Sequence, residues 1–117
     1  MVETPRRILF VEDERDIAEV VADALSSEGY EVCLAANGRD ALDLLRTGIP
    51  FDSVITDVSM PDGVSGIDVA HEAARLNPAA KIIVASGHQL GDLPPLPEHF
   101  RFVPKPYRLM RILDAVS

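Results

Sequence analysis

The sequence carries a single cysteine, Cys33, so an internal disulfide and a cysteine-built metal site are both excluded. Cys33 lies in an apolar run and reads as a small buried hydrophobe. No apolar stretch approaches the roughly 20 residues needed to cross a bilayer. The opening "MVETPRR" runs straight into a strand-like segment, with no signal-peptide core. A cytoplasmic protein without membrane contact is the expectation. Positive charge is also scarce. Eleven Lys and Arg against 19 Asp and Glu give a formal net charge of −8, which argues against direct nucleic-acid binding through a basic surface. His71, His88 and His99 share no metal-ligand spacing, so no ligand role falls to them.

What is present fits one domain over residues 1–117. The chain is 47% hydrophobic and 26% charged, ordinary values for a soluble domain with a single core. Five β-rich runs appear: "RILFV" (7–11), "EVCLAA" (31–36), "SVITD" (53–57), "KIIVAS" (81–86) and "RFV" (101–103). Three are nearly continuous apolar runs, the pattern of strands buried on both faces of a parallel sheet. Helical spacing links Ile17, Val20, Val21, Ala24 and Leu25, with Gly29 as a stop. A second helix carries Ala41, Leu44 and Leu45, entered at Asn37 and stopped by Gly48 and Pro50. A third carries Ile67, Ala70, Ala73 and Ala74 and ends near Asn77-Pro78. The last carries Leu109, Ile112, Leu113 and Val116.

Alternating strands and helices predict an α/β fold of three layers, a (βα)5 pattern around a five-stranded parallel sheet. The flavodoxin-like strand order is 2-1-3-4-5. One unit departs from the rhythm. Where a fourth helix is due, the chain reads "GDLPPLPEHF". Proline removes amide donors and restricts the residue before it, so this helix is shortened or replaced by a Pro-rich loop. At most one short turn is expected within 88–93.

Ligands of open parallel sheets bind beyond the carboxyl ends of the strands, at the switch in strand order. The first strand delivers Glu12 and Asp13, the third Asp57, the fourth Ser86, and Lys105 follows the fifth. Strands one and three are neighbours in this order, so three carboxylates converge. They repel one another unless a cation joins them. Mg²⁺ suits such a site, holding one or two carboxylates plus a phosphate oxygen. Lys105 and Ser86 suit phosphate oxygens. A carboxylate can itself become an aspartyl phosphate. The site reads as one that takes a phosphoryl group onto an aspartate.

"FVEDE", "VITDVSMP", "VAS" and "VPKPY", in that order and at strand ends, resemble the receiver domain of two-component response regulators, of the chemotaxis type with one domain. The resemblance covers essentially the whole chain. It implies Asp57 as phosphoacceptor, with Lys105 and Ser86 on the phosphoryl group. It implies a Mg²⁺ or Mn²⁺ site from Asp13, Glu12, Asp57 and the Ser59 backbone carbonyl. It further implies Ser86 and Phe102 as the switch pair, a cis bond before Pro106, and a tuning position at His88. The implied donor is a histidine kinase or histidine phosphotransfer protein. A downstream protein partner, not named by the sequence, would receive the signal from a monomer or weak dimer. Such a chain is no enzyme beyond catalysing its own phosphorylation and dephosphorylation.

Two features depart from the family's usual pattern: "MPDGVSG" reads one residue longer, and the fourth helix is largely replaced. Met1 and the absence of a linker point to a stand-alone protein, with a receiver cut from a hybrid histidine kinase as the alternative. A haloacid-dehalogenase-like phosphatase is the enzyme rival. It needs its nucleophile after strand one with a second Asp two residues on, and "VEDER" lacks that pair.

Overall fold

The computed structural model describes residues 5–59, 64–87 and 93–117. Its centre is made by the apolar runs. Strands β1 (Arg7–Val11), β3 (Ser53–Asp57) and β4 (Lys81–Ser86) are almost wholly buried. The edges are β2 (Glu31–Ala35) and β5 (Arg101–Pro104). All pairings are parallel, in the order β2-β1-β3-β4-β5. Four helices complete the described fold: α1 (Arg15–Ser27), α2 (Gly38–Arg46), α3 (Gly66–Leu76) and α4 (Leu109–Val116).

Successive strand residues point to opposite faces of a sheet, so each central strand feeds two cores. Leu9, Val11, Val54, Ile82 and Val84 pack with Ala41 and Leu45 of α2 and Val69, Ala70 and Ala73 of α3. Ile8, Phe10, Ile55 and Ile83 pack instead with Val21 and Leu25 of α1 and Ile112 and Val116 of α4. Each such aliphatic side chain contributes about 1.5–3 kcal/mol when fully buried. Two cores separated by one sheet make the three layers.

The helix ends follow local chemistry. The Asn37 side chain accepts a 2.8 Å hydrogen bond from the Asp40 amide and caps α2. Ser65 and Asp68 form a reciprocal capping box at the start of α3. Gly29 and Gly48 stop α1 and α2 at φ of 92° and 87°, a region that favours glycine. At the far end of α4, Arg101 donates to the Ala115 carbonyl at 2.8 Å, satisfying a helix-end acceptor.

The expected strand boundaries hold with two adjustments. The second strand stops at Ala35 rather than residue 36, because the chain turns there toward the Asn37 cap. The fifth strand extends to Pro104, tolerable because an edge strand needs no donor on its open side. From Leu93 to Phe100 the described chain holds neither helix nor strand. A turn at Glu98-His99 is closed by the Phe100 amide donating to the Pro97 carbonyl at 3.0 Å. Leu96 and Phe100 pack into the α2–α3 core. The short turn expected within 88–93 falls almost entirely outside the described residues, as do His88 and residues 60–63 of the loop after β3.

Candidate functional site

Parallel pairing brings the carboxyl ends of β1, β3, β4 and β5 to one edge of the sheet. Val11 registers with Thr56, Asp57 with Ala85, and Ser86 with Pro104. The residues just past those positions therefore meet. Oxygens of Glu12, Asp13 and Asp57 all lie within 4.8 Å of one another. Glu12 and Asp57 are buried, at 3% and 8% exposure, while Asp13 faces solvent.

Lys105 closes the cluster. Its Nζ donates to Asp57 Oδ2 at 2.7 Å and to Glu12 Oε1 at 3.1 Å. Its backbone amide donates to the Ser86 carbonyl at 2.8 Å, tying the lysine to the end of β4. The Lys105–Pro106 peptide is cis. The other Glu12 oxygen, Oε2, accepts the Glu14 amide at 3.2 Å.

The electrostatics follow from burial and pairing. Burial raises the Glu12 carboxyl above its usual range; the Glu14 amide and Lys105 offset this only in part. Burial pulls the Lys105 ammonium down, but its bonds to Asp57 and Glu12 outweigh that and hold it above the ordinary lysine value. Three carboxylates face one lysine charge among the described residues. The deficit is positive charge on hard oxygen donors, the donor set that Mg²⁺ or Mn²⁺ prefers.

Residues 8–117 match the response regulator receiver domain family. The chain belongs to that family. The receiver domain is 38% identical over 112 residues to a response regulator receiver protein of Anaeromyxobacter, covering 93% of this chain and 46% of that relative. It therefore spans about half of that protein's length. It is 33% identical over 116 residues to the chemotaxis protein CheY of Thermotoga maritima, covering 96% of this chain and 95% of CheY. Among solved structures it is similar to the response regulator TrrA of Thermotoga maritima in complex with Mg²⁺-BeF. That likeness has a TM-score of 0.80, 35% identity and coverage of 95% and 96% of the two chains. Membership makes the chain a signalling module rather than a phosphatase of the dehalogenase type.

The structure brings Glu12, Asp13, Asp57 and Lys105 of this receiver domain into one site, with Ser86 buried at its wall. Ser59 is exposed in the bend two residues past Asp57. Phe102 stands apart from the carboxylates. It is half-buried in β5, paired with Val84, and lines a hollow beneath the Pro-rich segment.

Three contributors were not foreseen from the sequence. Glu14 contributes only its backbone amide, which no side-chain pattern announces. Gly66 passes so near Asp57 that a Cβ there would lie 1.6 Å from the Asp57 carbonyl oxygen. Its signal was the capping pair Ser65 and Asp68, which fixes where α3 begins. Tyr107 buries its hydroxyl with no hydrogen-bond partner among the described residues. Burial first, and the nearby Glu12 charge second, push that phenol up to about 12.

Proposed function

We propose that this receiver domain is a phosphorylation-controlled module of a two-component or phosphorelay system. Asp57 accepts a phosphoryl group from a histidine kinase or histidine phosphotransfer protein in the cytoplasm, and the chain then signals by binding a partner. The observation that carries this reading is the Asp57 carboxylate, held beside two further carboxylates and 2.7 Å from the Lys105 ammonium.

In the transfer, an Asp57 carboxylate oxygen forms the new P–O bond as the P–N bond of the donor phosphohistidine breaks. The imidazole nitrogen keeps the electron pair and takes a proton. Little covalent help is needed, so positioning and charge do the catalysis. Lys105 sits where it can follow the charge from the Asp57 carboxylate to the incoming phosphoryl oxygens. Ser86, at the end of β4, contributes its hydroxyl to the same oxygens, and Phe102 partners it as the switch. Glu12, Asp13, Asp57 and the Ser59 carbonyl would hold Mg²⁺ or Mn²⁺. When bound, that ion neutralises charge on the carboxylates and the transferring group. The same chemistry serves a stand-alone chain and a receiver within a hybrid kinase.

The test is mass spectrometry after incubation with Mg²⁺ and a small phosphodonor such as acetyl phosphate. Wild type should gain a base-labile phosphoryl adduct, and Asp57→Ala should gain none. Asp13→Asn should slow the gain by about 10²–10³, the usual scale for losing one electrostatic contributor. An equal gain in Asp57→Ala would remove the assignment.

A further inference from the structure

The segment that replaces a helix has a shape of its own. Pro94, Pro95 and Pro97 have φ fixed near about −65°. Leu93, Pro94 and Leu96 each precede a proline, which drives them to extended backbone. Residues 93–97 are thus held close to polyproline II with little freedom left. Proline carries no amide proton, so a partner can cover the ridge without burying unpaired backbone donors at those positions. Pro94 and Pro95 are exposed.

The ridge is also pinned from beneath. Leu96 packs into the α2–α3 core, and the Pro97 carbonyl accepts the Phe100 amide at 3.0 Å. Phe100 is buried, with the rings of His71 and His99 against it at centroid distances of 5.4 and 4.8 Å. Between the ridge and β5 lies a hollow of about 290 Å³, lined by prolines, Phe100, Phe102 and the single charged residue Glu98.

We propose that residues 93–98 are a preshaped ligand, read by a protein partner whose groove is lined with tryptophan or tyrosine and rimmed with basic side chains. Flat aromatic rings are the complement of a polyproline ridge, and a ridge already rigid loses little entropy on docking. The basic rim answers exposed Glu98 and the net charge of −8. A second copy of the chain is a poor source of such a groove. The chain has no tryptophan. Phe10, Phe51 and Phe100 are buried, and Tyr30, Phe102 and Tyr107 are half-buried. The ridge does not depend on the Asp57 reading, because residues 93–98 include no site residue.

The experiment titrates the full chain with a WW domain whose aromatic groove has a basic rim, following the tryptophan fluorescence of the probe. The chain itself is silent in that channel. Wild type and Asp57→Asn should both give a saturable change below about 1 mM, displaced by a synthetic proline-rich peptide. The Pro94→Ala/Pro97→Ala variant should bind about tenfold more weakly or worse while still accepting phosphate, which shows that it is folded. Glu98→Lys, on a surface residue, should weaken binding and flatten its salt dependence. No saturable change with wild type, or equal binding by the double proline variant, would overturn the proposal. Self-association that requires Pro94 and Pro97, seen by sedimentation, would overturn it as well by assigning the ridge to a second copy.

Discussion

Gly66 lies so close to Asp57 that a β-carbon on it would overlap the Asp57 carbonyl oxygen at 1.6 Å. The Gly66 amide also donates to the Val58 carbonyl at 2.9 Å, so the start of α3 is pressed against the end of β3. Gly66→Ala must push the two apart. Overpacking costs about 1–3 kcal/mol and sometimes more. Urea unfolding should show a loss at or above that range, and Asp57 phosphorylation should slow with it. Unchanged values for both would mean that α3 does not bear on the acceptor.

Lys105→Met separates the lysine's two effects. It leaves Glu12 and Asp57 near each other with no cation between them. Stability without metal should fall by up to about 3 kcal/mol, limited because the site opens to solvent on the Asp13 side. Mg²⁺ should bind more tightly, since a competing positive charge has gone, while phosphoryl transfer slows by about 10²–10³. Calorimetric Mg²⁺ titration beside the phosphorylation rate checks the opposite signs. Weaker Mg²⁺ binding would show that the lysine organises the carboxylates rather than competing for them.

Glu72 of α3 bridges Arg75 at 2.6 Å and Arg46 of α2 at 3.1 Å. The Arg75 hydrogen bond chiefly, with Arg46 assisting, holds its carboxyl below the ordinary range. A depressed carboxyl stabilises the fold above its unfolded pKa, and that contribution disappears as pH falls through the folded value. Glu72→Gln should therefore lower the melting temperature at neutral pH and flatten its fall in acid below about pH 4.5. Parallel melting curves for both proteins across that window would rule out the bridge as a source of acid sensitivity.

Tyr107→Phe removes a buried hydroxyl that has no partner among the described residues. Leaving such a group unsatisfied costs about 1–3 kcal/mol, so the variant should be as stable as wild type or more so by up to that amount. The gain should widen above about pH 10, where an unfolded tyrosine ionises and a buried one resists. Thermal melts at neutral and alkaline pH decide this. A destabilised variant would show that the hydroxyl is satisfied in solution.

The sheet was legible because burial on both faces writes an unmistakable pattern. "SVITD" and "KIIVAS" coincide with β3 and β4 residue for residue. The convergence of Glu12, Asp13 and Asp57 was legible too, since strand order alone makes β1 and β3 neighbours. What stayed hidden depends on distances between segments. The Glu14 amide that holds Glu12 belongs to any residue type. The pressure of Gly66 on Asp57 requires knowing how tightly α3 meets β3. The lysine's double engagement also escaped, because "VPKPY" shows a charge but not the two carboxylates it spans.

Among the described residues, the proline ridge is anchored on the α2–α3 side of the sheet, through Leu96 and Phe100, while α1 and α4 share the opposite core. The sheet therefore partitions the molecule into two modules with separate upholstery. A graft of residues 66–100 into another member of this fold would carry the ridge with α3, while α2 of the recipient would have to supply the rest of its bedding. Ile83 of β4 would also enter the recipient's α1–α4 core, so that side would need matching at this one strand while the ridge itself touches only the other.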